Sequence, residues 1–344
     1  MPEPKDAFPY LCVDEFLKTM IDAKALATAF EMRLIDYLQE HTSSTFDAVQ
    51  RCLCDDRQGL QFLLGSLASN NVVVWERDTL RLSDRFLHAL RYRDLLEAKL
   101  DFAQLVAPDL LNFFHLLIQD PGEFMSRARL FELFGYHRCF DRTDENYELT
   151  RQWMRFTTAL TKYEAEACLQ QHDFSKYKKL LDIGGNSGEF VLRICKRHAA
   201  ISGTIVDLPL VCDVGTQHVF AEPEAERISF HPADVRSDRL PTGFDIVTFK
   251  SMLHDWPDAE VSQFIEKAAS CLVPGGTLLI FERSSIEFGP RTIPYGSLPM
   301  LLFFRSFRSP KAYEKILEAS GFVEINTVRV DLETPFLLTS GRKA

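Results

Sequence analysis

One short segment, FKSMLHDWPD, places a histidine directly after an apolar run that is typical of a buried strand. Ligands of open α/β sheets bind beyond the carboxyl ends of the strands, so a side chain at such an end can reach a pocket. An imidazole has a pKa of about 6.5 and can accept a proton at neutral pH. The segment therefore leaves two interpretations of His254: a general base at the mouth of a pocket, or a surface residue at the end of a strand.

Three acids end successive apolar segments nearer the N-terminus. LLDIGGNSGEF predicts a strand, a glycine turn and a helix, with Asp182 in the strand and Gly184 and Gly185 in the turn, where the backbone can pass close to a ligand. Asp207 ends TIVDLP, about 20 residues past the glycines, where a carboxylate can accept from both hydroxyls of a ribose. Asp234 follows in HPADV and can accept from an exocyclic adenine amine. These acids predict a nucleoside site.

The charge of this nucleoside site narrows the choice of cofactor. The chain lacks the second phosphate turn of a nicotinamide enzyme, and a carboxylate beside the glycine turn suits a cation better than a pyrophosphate. S-adenosyl-L-methionine carries a sulfonium and an ammonium, so we expect it as the cofactor and S-adenosyl-L-homocysteine as the product. Leu208 and Val235, which follow the second and third acids, complete this set, with Val235 against the base.

Composition and charge argue against several classes of protein. The 344 residues are 46% apolar, which is enough for buried cores, and the formal net charge is −10. Binding nucleic acid or an anionic membrane non-specifically needs a basic surface, so we expect neither partner. No apolar run reaches the roughly 18–20 residues that span a bilayer, and the N-terminal segment lacks the features of a secretory signal. The eight cysteines lack zinc-ligand spacing, so we expect free thiols, no metal and a cytoplasmic location.

The first hundred residues predict helices followed by a small wing. Apolar residues at helical spacing precede two short strands, VVVWE and TLRLS, in the order of a winged helix. The second helix of that motif, RQGLQFLLGSLAS, has one arginine and no lysine, which is unfavourable for reading DNA. We therefore expect this region to serve packing or dimerisation, and the protein to be a homodimer.

A change of pattern near residue 178 predicts a second kind of domain. Apolar strands then alternate with amphipathic helices, which indicates a doubly wound parallel sheet. We divide the chain into a helical winged-helix-like dimerisation domain (1–100), a helical connector and substrate-pocket region (101–172), and a Rossmann-like cofactor-binding and catalytic domain (173–344). The predicted fold class is α/β with a mostly helical N-terminal domain.

Together these motifs resemble the small-molecule O-methyltransferases typified by plant caffeate and animal hydroxyindole methyltransferases, with bacterial and fungal natural-product relatives. LLDIGGNSGEF resembles the cofactor loop of that family, VDLP its ribose acid, PADV its adenine acid and FKSMLHDWPD its catalytic strand. LVPGGTLLIFE and ILEASGF extend the resemblance over nearly the whole chain. The resemblance implies a class I methyltransferase domain and S-adenosylmethionine-dependent O-methyl transfer in secondary metabolism.

The resemblance also assigns roles near His254. The family histidine removes a proton from the acceptor hydroxyl without a metal, and two glutamates orient it. Glu282 matches the first of these, while Phe307 stands where the second is expected. Lys250 matches a position beside the cofactor, and Ser251 replaces an adenine-stacking tryptophan. We treat Asp255 and Trp256 of the same motif as structural.

An acceptor pocket is expected from the middle helices and from the segment before the last helix. Its apolar candidates, each of which also fits a plain core residue, are Trp153, Met154, Phe156, Met300, Phe303, Phe304 and Phe307. They predict a flat, aromatic substrate. The loss of the second glutamate keeps open an alternative, in which the chain binds the same cofactor but catalyses pericyclisation, rearrangement or decarboxylation. A non-enzymatic winged-helix regulator is a further alternative, which the acidic charge disfavours.

Overall fold

The computed structural model describes residues 8–288 and 298–344. Residues 1–7, part of the segment in which the sequence predicts no secretory signal, and residues 289–297 lie outside the described residues. Two units divide the chain. One contains the described residues of Met1–Leu130 and Pro290–Leu302, and the other those of Phe131–Gly289 and Phe303–Ala344. The three-part division at residues 100 and 172 stays a prediction.

The first unit is helical and carries a small antiparallel sheet. Its helices are α1 (Met20–Glu31), α2 (Leu34–Glu40), α3 (Phe46–Leu53), α4 (Arg57–Ser69), α5 (Asp84–Ala89), α6 (Arg93–Gln119) and α7 (Pro121–Arg127), and the short helix Leu298–Leu301 also belongs to it. Its strands are β1 (Ser44–Thr45), β2 (Val73–Glu76) and β3 (Thr79–Leu82), in the order β1-β3-β2. The predicted helix, turn, helix and two-stranded wing are confirmed.

Side-chain caps explain where the helices of the winged motif begin. The Thr45 hydroxyl accepts from the backbone N–H of Ala48 at the start of α3, and the Asp56 carboxylate accepts from that of Gln58 at the start of α4. Such caps satisfy backbone donors that have no partner inside the helix. Leu60, Leu64 and Leu67 then place the apolar stripe of α4 in the core.

The second unit contains a seven-stranded sheet in the order β6-β5-β4-β7-β8-β10-β9. The strands are β4 (Lys179–Ile183), β5 (Ser202–Asp207), β6 (Ile228–Pro232), β7 (Phe244–Lys250), β8 (Leu272–Arg283), β9 (Phe322–Asp331) and β10 (Pro335–Lys343). Strands β4 to β8 run parallel, and β10 is antiparallel to both of its neighbours. The predicted parallel α/β sheet is confirmed.

Helices accompany the strands of this sheet. They are α9 (Asp144–Gln171), α10 (Glu189–Arg197), α11 (Pro209–Phe220), α12 (Asp258–Cys271) and α14 (Pro310–Ala319). Two short helices complete the numbering: α8 (Leu130–Leu133) lies where the chain passes from the first unit to the second, and α13 is the helix Leu298–Leu301 of the first unit. The central strands are apolar on both faces, as a covered parallel sheet requires. Their side chains form a core with Phe264 of α12 and Tyr313 of α14.

The order of the strands determines where a ligand can bind. Strands β5 and β6 lie on one side of β4, and β7 and β8 lie on the other. Ligands of such sheets bind beyond the carboxyl ends of the strands at this change of direction. The predicted cofactor acids and the predicted base all follow strands that meet there.

Candidate active site

His254 lies in a short 3-10 helix, Leu253–Asp255, which follows β7. Its Nδ1 atom is 2.7 Å from Oε2 of Glu282, a fully buried residue near the end of β8. The other oxygen of that carboxylate accepts from the backbone N–H groups of Met252 and Leu253, each at 2.6 Å. Because an ionised carboxylate only accepts, Nδ1 of His254 must donate, so the neutral ring carries its lone pair on Nε2.

The charges around His254 favour its protonated form. Burial alone lowers the pKa of the imidazole, but the carboxylates of Glu282 and Asp255 outweigh burial and raise the pKa above its ordinary value. The side chain is only 13% exposed. A proton taken up by this ring is therefore stabilised, as a general base requires.

Phe307 and Arg308 surround the loop that carries the histidine. The buried ring of Phe307 meets the imidazole edge-on, with centroids 5.6 Å apart and planes at 83°. Arg308 donates to the carbonyl of Leu253 at 2.8 Å and to that of Trp256, so it binds the backbone on both sides of His254. Phe307 thus lies against the imidazole of His254, and its role there stays a prediction.

Tyr136 is a residue of this region that sequence reasoning missed. Its hydroxyl donates to Oδ2 of Asp255 at 2.6 Å, and its ring stacks on Trp256 with centroids 6.2 Å apart. Burial, and then the charge of Asp255, raise the pKa of Tyr136 well above its ordinary value, so the hydroxyl keeps its proton. The aromatic segment FELFGY was the signal available in the sequence, but nothing in it indicates a contact with Asp255.

Asp182 lies in β4 and is fully buried. Its Oδ1 atom accepts from the hydroxyl of Thr248 at 2.6 Å, whereas Oδ2 has no hydrogen-bond partner among the described residues. Burial raises the pKa of Asp182 to about 7, with the charge of Asp207 adding to it. A buried carboxylate without full hydrogen bonding is costly, and a cation would offset that cost.

The glycine turn after β4 is packed closely against neighbouring side chains. Gly184 has a φ of +70°, and a Cβ atom there would lie 2.4 Å from Cγ of Met252. At Gly185 a Cβ would lie 2.7 Å from Oδ2 of Asp182. The space of a Cβ is thus filled by a protein side chain at Gly184 and adjoins the unpaired carboxylate oxygen at Gly185, and the close approach of this backbone to a ligand stays a prediction.

Asp207 ends β5 and holds the glycine turn in place. Its Oδ2 atom accepts from the backbone N–H of Asn186 and its Oδ1 atom from that of Leu208, both at 2.8 Å. Burial raises the pKa of Asp207 to about 6. Since each carboxylate oxygen can accept more than one hydrogen bond, these contacts leave capacity for the hydroxyls of a ribose. Leu208 is partly buried and begins the turn into α11.

Asp234 and Val235 follow β6. The Asp234 carboxylate is engaged by Arg236, whose Nη2 atom donates to Oδ2 at 2.8 Å and whose backbone N–H donates to Oδ1 at 2.9 Å. The guanidinium of Arg236 also lies over the ring of Trp256, 5.3 Å from its centroid. Val235 is buried in the core of the sheet. The roles of Asp234 and Val235 toward adenine stay predictions.

Lys250 is the last residue of β7, and Ser251 follows it. The Lys250 side chain has partners, whereas the Ser251 hydroxyl has none among the described residues. The Lys250 ammonium donates to Thr161 at 2.8 Å and pairs with Glu164, two residues of α9. Arg283 binds the other oxygen of Glu164 at 2.6 Å, so Lys250 belongs to a buried ionic network. Ser251 has a left-handed φ of +52°, and its buried hydroxyl has no hydrogen-bond partner among the described residues.

The predicted acceptor residues separate into three groups. Trp153 and Met154 are buried in a cluster with α11, and Phe156 is buried in α9. Phe303 is partly buried and meets Phe134 edge-on, with centroids 5.9 Å apart; Phe134 and Tyr136 both contact Trp153. Of the other three, Phe304 packs its ring against Phe288, Met300 belongs to the first unit, and Phe307 meets the imidazole of His254.

Four aromatic rings make a continuous series that ends at the loop of His254. Phe303, Phe134, Trp153 and Tyr136 follow one another with centroid separations of 5.9 to 6.2 Å, and Tyr136 reaches Asp255. Aromatic faces pack well against a flat apolar ligand. In residues 8–288 and 298–344, no three His, Cys, Asp or Glu side chains are grouped so as to hold a metal ion.

Comparison with known proteins identifies the family of the chain. The family model of the O-methyltransferase domain matches residues 122–323. The chain therefore belongs to the O-methyltransferase domain family, as its motifs predict.

Two curated relatives and one solved structure are similar to parts or to most of the chain. A 3-hydroxy-5-methyl-1-naphthoate 3-O-methyltransferase of Streptomyces sahachiroi is 32% identical over 161 residues, which cover 46% of each chain. Acetylserotonin O-methyltransferase of Bos taurus is 29% identical over 181 residues, or 52% of each chain. The chain thus spans about half the length of the curated relatives it matches. The structure of human N-acetylserotonin methyltransferase in complex with SAM has the same fold, with a TM-score of 0.73, 18% identity and 94% of each chain covered.

The residues present fit the cofactor that this family implies. The buried polar atoms without a partner among the described residues include Oδ2 of Asp182, in β4, and Oγ of Ser251, directly after the neighbouring strand β7. A positively charged ligand with hydrogen-bonding groups would satisfy both. Asp207 retains acceptor capacity at the end of the next strand, β5.

Proposed function

We propose that this protein is an S-adenosylmethionine-dependent O-methyltransferase that acts on a hydroxyl group of an aromatic small molecule. The observation that carries the proposal is the contact between Glu282 and His254, in which one buried carboxylate binds both the imidazole and the backbone of its loop. We also propose that the reaction needs no metal and belongs to secondary metabolism. The naphthoate and acetylserotonin in the names of two relatives support an aromatic acceptor.

The residues of the chain would divide the work of the reaction between them. Bound S-adenosylmethionine would supply an electrophilic methyl group. Asp182 and Ser251 would bind its charged and polar groups, and Asp207 would hold the ribose. His254 would accept the proton of the acceptor hydroxyl at Nε2, because Nδ1 is committed to Glu282. A phenol with a pKa of about 10 is a weak nucleophile at neutral pH, so this proton transfer and the alignment of the reactants would both lower the barrier.

The aromatic rings beside the loop would select the acceptor. Phe303, Phe134 and Trp153 offer apolar faces, and Tyr136 connects them to the loop of His254. A planar acceptor lying on these faces would present its hydroxyl toward the imidazole. The identity of the acceptor and the position of its hydroxyl are not part of the proposal.

A homodimer remains our proposal for the assembly, and the first unit offers an observation in its favour. Leu111, Phe114 and Ile118 are exposed at helical spacing on α6, and Met125 is exposed on α7, which packs on α6. An apolar stripe of this kind is typical of an interface. Light scattering of the full chain tests the assembly, and a monomer at all concentrations would contradict it.

The location of the protein is likewise a proposal. All eight cysteines are free thiols, which favours a reducing compartment such as the cytoplasm. Among the described residues, no helix is both long and apolar enough to cross a bilayer.

Mass spectrometry of reaction mixtures tests the proposed activity. The full chain is incubated with S-adenosylmethionine and a panel of hydroxylated naphthoates, indoles and phenols, and products are compared with mixtures that contain S-adenosylhomocysteine instead. We expect a product heavier by about 14 Da, the mass of one added methylene, formed with one equivalent of S-adenosylhomocysteine. A product of unchanged mass would support the non-methylating alternative, which the apolar contact of Phe307 with His254 keeps open.

A further inference from the structure

The imidazole of His254 contacts a carboxylate on one side and an apolar ring on another. Nδ1 meets the carboxylate of Glu282 at 2.7 Å, and the ring edge meets the apolar ring of Phe307. A second carboxylate nevertheless lies close by. Oδ1 of Asp255 is 3.5 Å from Nε2, which is a distance for charge attraction rather than a good hydrogen bond.

The position of Asp255 is fixed by residues from three other parts of the second unit. Tyr136 donates its hydroxyl to Oδ2 at 2.6 Å. Arg308 binds the carbonyls of Leu253 and Trp256 and so restrains the backbone on both sides of the acid. Tyr136 is itself held between rings, since it stacks on Trp256 at an angle of 21° and meets Trp153 edge-on at 63°.

We propose that Tyr136 is a positioning residue, which holds the carboxylate of Asp255 beside Nε2 of His254 so that this acid supplies the second negative charge that Phe307 does not. The proposal rests on the proposed role of His254 as a base. Its chemistry is electrostatic: when the imidazole takes up a proton, two carboxylates then stabilise the cation instead of one.

The hydroxyl of Tyr136 holds the side chain of Asp255 in one orientation. The Asp255 side chain is 30% exposed, so without a partner it could rotate toward water and weaken its attraction to the ring. A tyrosine hydroxyl buried against two tryptophans has few other orientations. The phenol therefore selects the rotamer in which Oδ1 faces the imidazole.

Other charged groups near His254 do not replace this pair. The guanidinium of Arg283 opposes protonation of the ring, but it is bound to Glu164 and Glu333. The guanidinium of Arg308 is bound to Asp258 and to the two loop carbonyls. Glu282 and Asp255 are thus the two anions whose removal should lower the pKa of the ring.

Titration of the His254 imidazole by ¹⁵N NMR tests the proposal on the full, ligand-free chain. The signal is assigned by its loss in His254→Gln. We expect Asp255→Asn to lower the titration midpoint and Tyr136→Phe, which keeps the ring, to lower it by less. The double variant should titrate at the midpoint of Asp255→Asn alone, because Tyr136 acts through that acid.

A matched control is available in the same aromatic region. Tyr147 also donates its hydroxyl at 2.7 Å, but to Gln217, so Tyr147→Phe should leave the His254 midpoint unchanged. An unchanged or raised midpoint in Tyr136→Phe would overturn the proposal, and so would a further shift on adding Tyr136→Phe to Asp255→Asn. If Asp255→Asn does not fold, as judged by circular dichroism, Asp255→Ser takes its place in the cycle.

The outcome can be separated from that of the proposed function. The NMR titration uses neither S-adenosylmethionine nor an acceptor. A shift in Tyr136→Phe without any methyl transfer by the wild type would contradict the proposed function alone. Methyl transfer that depends on His254, together with an unmoved midpoint in Tyr136→Phe, would contradict the positioning role alone.

Discussion

Asp182 and Glu282 are fully buried carboxylates on strands β4 and β8, which flank β7. Glu282 accepts from two backbone N–H groups and from His254, so both of its oxygens are satisfied. Asp182 accepts from Thr248 through one oxygen, and no described residue donates to the other. Asp182 therefore has one carboxylate oxygen without a hydrogen-bond partner among the described residues, whereas Glu282 has none.

This difference separates an imidazole that its protein contacts already orient from a buried acid in which one oxygen lacks a partner among the described residues. The hydrogen bonds of Glu282 fix the loop and the ring together, so no ligand is needed to orient His254. Burial raises the pKa of Asp182 to about 7, which leaves the ionised acid unstable until a positive charge arrives. We therefore expect a large loss of turnover when His254 is changed. At Asp182 we expect a change to weaken cofactor binding but to raise the stability of the ligand-free protein.

The largest effect is expected at the base. His254→Ala should lower turnover by about 10²–10⁴, the usual span for general acid–base catalysis, with little change in cofactor affinity. His218→Ala is a matched control, because His218 also contacts a buried carboxylate at 2.7 Å, that of Glu189, but lies on α11. Methyl incorporation is measured for both variants, and a wild-type rate in His254→Ala would show that the histidine is only a residue at the end of a strand.

Asp182→Asn should have two effects of opposite sign. Losing a charge-assisted contact worth about 1.5–3 kcal/mol should weaken S-adenosylmethionine binding roughly 10–100-fold. The folded carboxyl keeps its proton up to about pH 7, while the unfolded one loses it near 3.8, so the native state binds more protons in between and its stability falls as pH rises across that window. The amide avoids this loss, and the ligand-free variant should melt at a higher temperature at pH 7.5.

Calorimetric titration and thermal melting check this pair of effects. Thr248→Val serves as a control, since it removes the other partner of the carboxylate and keeps the charge. Weaker binding with a lower melting temperature in Asp182→Asn would mean that the acid is an ordinary structural residue.

The smallest effect is expected at Phe307. Phe307→Glu restores a carboxylate near His254, so in a methyltransferase that lacks only this acid, activity should be kept or raised. Phe307→Leu, which stays apolar, is the control for packing. Turnover of both variants is measured by methyl incorporation. Loss of activity in Phe307→Glu with a normal fold would indicate an apolar wall against the substrate, as the non-methylating alternative requires.

Much of this arrangement follows from the sequence, and the reasons are local. Alternating strands and helices predict the parallel sheet, and the spacing of Asp182 and Asp207 predicts their place at its edge. His254 and Glu282 were predicted as a pair only through resemblance to a family, because 28 residues separate them and no periodicity links them. The ring of Phe307 lies edge-on to the imidazole of His254, and the roles of both residues stay predictions.

Contacts between distant side chains could not be predicted. Tyr136 and Asp255 are 119 residues apart, and their hydrogen bond forms only when the short 3-10 helix Tyr136–Phe140 packs against the loop after β7. The pairing of Lys250 with Glu164, across 86 residues, is of the same kind. Gly184 was predicted from its backbone freedom, but its neighbour Met252 depends on the turn after β7. Sequence patterns give the elements and their ends, whereas these contacts arise only on packing.

The pH dependence of cofactor affinity tests the central claim most directly. S-adenosylmethionine is titrated calorimetrically into wild type and Asp182→Asn between pH 5 and 8, roughly one unit below the lower and one unit above the higher of the two raised pKa values. Ionisation of the ligand itself cancels between the two proteins. Asp182 and Asp207 have pKa values raised to about 7 and about 6 by burial, and a cation binds their ionised forms better. We predict that the ratio of the wild-type affinity to the Asp182→Asn affinity increases as pH rises through about 7. A constant ratio of the two affinities, or no binding by the wild type, would contradict the account.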